Sequence, residues 1–229
     1  VLNHFSVGRL FGLFESLDYC CTSLVTVQVV PNFHIYGFVV QSVSMCSVKT
    51  ILMKKFTPNL FLRMIEKYKA NLLYIVPSIL NYLCKNPLVE NYDTSSLRDV
   101  VVGAAPVGAT LLKEAKNKFK SIFVREMYGC TEVGGISCAQ TQKLYKPEST
   151  GLLCPGYIAK ICDINSNKVL GPFEKGEICI KTKQIMNGYL RNDTATRESF
   201  DDEGFYYTGD YGYYDNDKCF YICDRIKEL

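Results

Sequence analysis

Two periods of apolar residues alternate along the chain up to about Gly135. Val25 to Pro31 is a short apolar, β-branched run and predicts a strand. Thr57-Pro58 predicts a helix start, with Thr as the capping residue and Pro in the first helical position. Leu60, Phe61, Met64, Ile65 and Tyr68 then share one face at helical spacing. Leu72 to Val76 is continuously apolar and ends at Pro77, as a strand buried on both faces would. Ser78 to Cys84 opens another helix, Asp99 to Val102 is a strand closed by Gly103, and Val107 to Phe119 is amphipathic, with Leu111, Leu112, Ala115 and Phe119 inward. Ile122 to Met127 predicts the next strand. Strand and helix in alternation imply a parallel sheet covered by helices.

Beyond Gly135 the texture changes to short alternating runs separated by Pro and Gly. Ile158 to Ile164 and Val169-Leu170 flank Asn165-Ser166-Asn167, a hairpin signal. Glu177 to Lys181 alternates polar and apolar, and Tyr211 to Tyr214 and Cys219 to Cys223 flank a second polar turn. The fold class expected is α/β: a parallel sheet with flanking helices, followed by a small β-rich, barrel-like subdomain.

Composition narrows the function. The chain has 229 residues, 48% apolar and 21% charged, with a net charge of +3 from 26 basic and 23 acidic groups. That balance argues against a nucleic-acid or lipid surface. Eleven cysteines are scattered through apolar runs without a C-x-x-C pair, and only His4 and His34 offer imidazoles. Reduced, mostly buried thiols in an intracellular protein are expected rather than a disulfide framework or a zinc cluster. No run reaches the length of a membrane span, and no secretory leader is read. The chain opens on Val1 and stops at Leu229 in a charged segment, so both ends read as cut.

Some motifs fail on inspection. Gly171 and Gly176 have phosphate-loop spacing, but Glu177-Ile178 stand where Lys and Ser or Thr are required. Asp163, Asn165, Asn167 and Glu174 mimic a calcium loop, with Lys168 in the place of its glycine. Asn192-Asp193-Thr194 is a glycosylation triplet without a sign of secretion.

Others make sense together. Pro31 to Gly37 sets His34 and Tyr36 two apart just past a strand. A continuing strand would send them to opposite faces, so a loop that lets both reach one cavity is expected. Gly103-Ala104-Ala105-Pro106 follows a second strand with residues small enough for a flat ring to lie on the backbone. Tyr128-Gly129-Cys130-Thr131-Glu132 follows a third. Three such loops at the carboxyl ends of parallel strands would line one crevice. Taken singly each has a plain reading: a lone His near a strand end is usually structural, and Thr208-Gly209-Asp210 is a turn.

In order and spacing, "FHIYG", "GAAPVG", "YGCTE", "MNGYLRN", "GFYYTGD" and "DRIKEL" resemble the adenylate-forming superfamily, in its 4-coumarate–CoA ligase, acyl-CoA synthetase and beetle-luciferase branch. The resemblance covers essentially the whole chain. It implies ATP-dependent activation of an aromatic or fatty acid to an acyl-adenylate, then transfer to coenzyme A. ATP, Mg²⁺ and coenzyme A would be bound, without nucleic acid or a membrane span. Thr131 would bond the α-phosphate and Glu132 would help hold Mg²⁺. Gly103, Ala104 and Ala105 would border the adenine, with Tyr128 on its other face and Gly129 beside nucleotide and acyl group. Asp210 would accept the ribose hydroxyls and Arg225 would donate to the ribose. His34 and Tyr36 would gate the acyl pocket, and His34 counts with Thr131 and Glu132 as a catalytic candidate. Residues 1–135 would be the α/β part, 136–222 the β-rich part and 223–229 a hinge. Peroxisome or cytoplasm is the expected compartment.

The family also has a Ser/Thr/Gly-rich loop ending in Lys-Gly-Val, and Val1 to His4 resembles the residues just after it. A C-terminal domain with the adenylation lysine should follow "DRIKEL". Met127 and Val102 stand where smaller residues are usual, which leaves the acid open. The chain is therefore expected to be a fragment, inactive alone. Two alternatives stay open: a luciferase-like monooxygenase using the same adenylation, and a non-catalytic nucleotide- or acyl-binding remnant.

Overall fold

The structure is a computed structural model that describes residues 1–2, 23–44, 48–119, 122–141 and 143–229. The described residues form two compact units, 23–126 and 127–229 with the first two residues. Within residues 23–126, β1 (Val25–Gln28), β2 (Lys49–Leu52), β3 (Leu72–Ile75), β4 (Asp99–Val102) and the start of β5 (Phe123–Cys130) lie parallel in the order β2-β1-β3-β4-β5. Helices α1 (Ile35–Ser44), α2 (Pro58–Tyr68), α3 (Pro77–Lys85) and α4 (Ala109–Lys118) join successive strands. This is the alternation expected of a covered parallel sheet. β3 is buried at all four positions, which is why its sequence is apolar without a break.

α2 shows how closely the sequence determines local structure. The Thr57 hydroxyl accepts the Leu60 N–H at 3.4 Å, Pro58 occupies the first turn, and Lys69 ends the helix in the left-handed region at φ 51°. Its buried face is Phe61, Leu62 and Ile65, whereas Leu60, expected inward, is 38% exposed. The helix is turned so that Leu62 completes the stripe. These three side chains pack with Leu73, Leu80 and Val102 in one core. Arg125 on β5 forks onto Asp99 at the start of the neighbouring β4, with Nε 3.1 Å from Oδ1, and ties the two strands together.

The second unit is antiparallel. From Met127 on, β5 pairs with β6 (Gly135–Ala139), which pairs with β7 (Leu152–Leu153). The strand expected to end at Met127 therefore runs on to Cys130. A five-stranded antiparallel sheet follows in the order β12-β11-β10-β8-β9, made of β8 (Tyr157–Cys162), β9 (Val169–Leu170), β10 (Gly176–Thr182), β11 (Tyr206–Tyr214) and β12 (Phe220–Arg225). A short helix, α5 (Asp193–Glu198), precedes β11. In the β8–β9 turn, Asp163 Oδ1 accepts the N–H groups of Asn165 and Ser166 and the Ser166 hydroxyl, so this acid is spent on the turn.

Eight described cysteines are free thiols, five of them buried: Cys138, Cys154, Cys162, Cys179 and Cys219. His4, Cys20, Cys21 and Cys46 lie outside the described residues. Among the described residues no helix is long and apolar enough to cross a membrane.

Candidate functional site

Asp210 sits on β11 directly opposite Arg225 on β12 and is only 6% exposed. Arg225 Nε lies 2.9 Å from Oδ1, and the Tyr128 hydroxyl donates to Oδ2 at 2.6 Å. The Asp210 backbone is fixed through Thr208 to the neighbouring β10. Asp210 N–H donates to the Thr208 hydroxyl, which donates in turn to the Ile178 carbonyl at 2.7 Å. Between them Gly209 adopts φ 71°, a conformation that favours glycine, and its N–H reaches Glu177 Oε1 at 2.9 Å. Burial pushes the Asp210 carboxyl above the usual carboxylate range and the Glu132 charge adds to this. The Tyr128 bond and Arg225 pull the other way.

The turn after β5 has a structural reason for its glycine. A Cβ on Gly129 would stand 1.8 Å from the Gly135 carbonyl oxygen, because β5 and β6 close on each other at an irregularity in their register. Gly134 N–H donates to the Thr131 carbonyl at 3.0 Å and completes the turn. Thr131 is exposed and Glu132 half-buried. The Tyr189 hydroxyl donates to Glu132 Oε1 at 3.0 Å and lies 3.3 Å from the Tyr206 hydroxyl. Burial, reinforced by Glu132, pushes the Cys130 thiol up to about 12, so it stays protonated and unreactive.

The remaining expected residues lie in the other unit. Gly103 is buried, and its N–H donates to the Ile75 carbonyl at 3.1 Å. Ala104 and Ala105 are exposed, and Ala104 is left-handed at φ 70°. The loop expected through Tyr36 ends at His34, where α1 begins. His34 is exposed, and its Nδ1 accepts the Tyr36 N–H at 3.1 Å, so the imidazole caps the helix. Tyr36 is 8% exposed, with its hydroxyl 3.1 and 3.0 Å from the carbonyl oxygens of Ile75 and Val101. The two side chains diverge, one to the surface and one beneath the strand ends.

Within residues 127–229 the structure therefore gathers Tyr128, Asp210 and Arg225 on shared hydrogen bonds, and it brings Glu132 to Tyr189 and Tyr206. Those two tyrosines, with Thr208 and Glu177, are absent from the sequence-based set. "MNGYLRN" and "GFYYTGD" contain three of them, and their presence in those segments was the available signal.

Residues 2–190 match the family described as AMP-binding enzyme. A probable 4-coumarate–CoA ligase 3 of Dictyostelium discoideum is 40% identical over 206 residues, 89% of this chain and 37% of its own length. The luciferin 4-monooxygenase of Nipponoluciola cruciata is 35% identical over 204 residues, 89% of this chain and 37% of its own. The crystal structure of ATP-bound MatB from Rhodopseudomonas palustris superposes with a TM-score of 0.87 at 26% identity, over 100% of this chain and 45% of that one. The chain thus spans 37% of the length of those two curated relatives.

Proposed function

The chain belongs to the AMP-binding enzyme family, and from that membership we propose that it carries nucleotide-holding residues of an enzyme that joins a carboxylic acid to coenzyme A at the expense of ATP. The Asp210 carboxylate carries the reading. Each of its oxygens takes one donor, Arg225 or Tyr128, and keeps a second lone pair. Two neighbouring ribose hydroxyls are donors of the right number and spacing for that arrangement. The Arg225 side chain is 58% exposed and has N–H groups to spare for the same sugar.

In the first half-reaction the acid's carboxylate oxygen bonds to the α-phosphorus of ATP, and the bond to the pyrophosphate oxygen breaks. In the second, the coenzyme A sulfur bonds to the acyl carbon, AMP leaves, and the thiol proton passes to solvent. The physical obstacle is the meeting of two anions. Thr131, exposed in its turn, would donate to the α-phosphate. Gly103, Ala104 and Ala105 would border the adenine, and Tyr128 would stack on it. Gly129 would let nucleotide and acyl group approach the backbone. His34 would stand on the acyl side. For Tyr36 only the ring is left for that role, because its hydroxyl is engaged by strand carbonyls.

Mg²⁺, when bound, would supply positive charge against the phosphates. Among the described residues there is no cluster of three metal-binding groups. That fits Mg²⁺, which is commonly held by one or two carboxylates together with water and substrate phosphates. Glu132, half-buried with Oε1 taken by Tyr189, is that kind of single carboxylate.

Calorimetric titration of AMP into the chain tests the reading. Asp210→Ala should weaken binding by about 1.5–3 kcal/mol, the worth of hydrogen bonds to a charged group. Equal affinities of variant and wild type would defeat it. A luciferin 4-monooxygenase at 35% identity favours a second reading, in which the adenylate is oxygenated. Thioester against light as the product of the complete enzyme tells the two apart.

A further inference from the structure

Glu132 is gripped at two points by one segment. Met186 N–H donates to the Glu132 carbonyl at 2.7 Å, and three residues on the Tyr189 hydroxyl donates to the carboxylate. That segment is itself fixed. Tyr189 N–H donates to the Thr196 hydroxyl at 2.9 Å, and the Tyr189 carbonyl accepts the Asn192 N–H at 3.2 Å, where Asn192 caps α5. Gly188, at φ 140°, packs so tightly on Thr196 that a Cβ would meet its methyl at 2.8 Å.

Behind Tyr189 stands Tyr206, 6% exposed on β11. Tyr189 spends its proton on Glu132, so at 3.3 Å the Tyr206 hydroxyl is the donor to Tyr189. The result is a directed chain, Tyr206 to Tyr189 to carboxylate, and each bond in such a chain polarises the next. Burial pushes both phenols up, so both stay neutral donors well above physiological pH.

We infer that Tyr189, backed by Tyr206, is a positioning residue that orients the Glu132 carboxylate toward a nucleotide-bound divalent cation. The inference rests on the reading of Glu132 as the metal-holding group. Outer partners of this kind typically change metal affinity about 10–100-fold when removed.

The experiment compares ATP binding in Mg²⁺ with ATP binding in EDTA, by calorimetry, for the 229-residue chain and for Tyr189→Phe, Tyr206→Phe and Glu132→Gln. Thermal melting of each variant checks the fold. Tyr189→Phe should cut the metal-dependent gain in affinity about tenfold and leave the affinity in EDTA unchanged. Tyr206→Phe should lose less of the same gain. A full gain in Tyr189→Phe overturns the inference, and so does an equal loss in Mg²⁺ and EDTA, which marks a merely structural tyrosine. If Glu132→Gln loses the gain while Tyr189→Phe keeps it, the reading of Glu132 stands and only the positioning role falls. If the wild type shows no gain, or Glu132→Gln keeps it, the reading and the inference fall together.

Discussion

Ala104 holds φ 70° in a loop whose neighbours on either side, Gly103 and Ala105, are equally small. An alanine in the left-handed region costs roughly 1–2 kcal/mol, because its Cβ crowds the following carbonyl. Glycine would relieve this and give back about 0.4–1 kcal/mol through its looser unfolded state. Ala104→Gly should therefore stabilise the chain by about 0.5–1 kcal/mol in urea unfolding. An unchanged or lower midpoint would show that the loop is not strained. The same scale separates what a sequence discloses from what it hides. Thr131, Glu132 and Asp210 stand out because each sits in a short Gly-bearing motif, and Arg225 because it follows an acid in the charged segment DRIKEL. Tyr189 and Tyr206 lie in Gly-bearing motifs too, but what they do there depends on partners 57 and 17 residues away. The motif marks the segment, but nothing local tells a packed tyrosine ring from a hydrogen-bond donor.

The elements were legible where apolar period and punctuation agree. β3 stops at Ile75, two residues before Pro77, β4 stops at Val102 before Gly103, and α2 starts at Pro58 after Thr57, close to where the sequence puts them. α1 was not legible. Its sequence, IYGFVVQSVS, is apolar through most of its turns and contains both β-branched residues and a glycine, so no helical stripe shows. The end of β5 was missed for another reason. Its last residues are held by β6, and a pairing partner further along the chain is invisible to a local pattern. The turn between β11 and β12 carries the sharpest energetic expectation. Asp215 is 4% exposed. Its Oδ1 accepts the N–H groups of Asp217 and Cys219, and Oδ2 takes Lys146 Nζ at 2.6 Å and the Tyr221 hydroxyl at 3.1 Å. All four lone-pair positions are filled. Burial pushes this carboxyl up, but the Lys146 pair and the Cys219 and Tyr221 bonds win, and it lies below the usual range. A depressed carboxyl stabilises the fold above its unfolded value of about 3.9, and the contribution is lost as pH falls through the folded value. Asp215→Asn should cost about 2–3 kcal/mol at neutral pH and much less near pH 2. Urea unfolding at the two pH values checks it, and a pH-independent cost would remove the charge from the explanation.

As a whole, the chain matches 37% of the length of its curated relatives, so most of their residues have no counterpart in these 229. Loss of a single well-placed electrostatic donor typically lowers a rate about 10²–10³-fold. Acid-dependent pyrophosphate release by the 229-residue chain should therefore run at least that much more slowly than in a full-length relative, even where nucleotide still binds. Comparable turnover would show that the residues without counterpart are dispensable. The thiols give the molecule another property. Five buried cysteines are spread through residues 127–229, while Cys223 near the end of β12 is exposed. Burial pushes Cys138 and Cys154 above their ordinary thiol range, so neither reacts while the sheet around it is in place. A small alkylating reagent will therefore mark Cys223 at once and the others only as the strands part. The masses of the peptides that carry the five buried thiols, read against time, become a clock for the opening of the antiparallel unit, set by residues that take no part in the proposed chemistry.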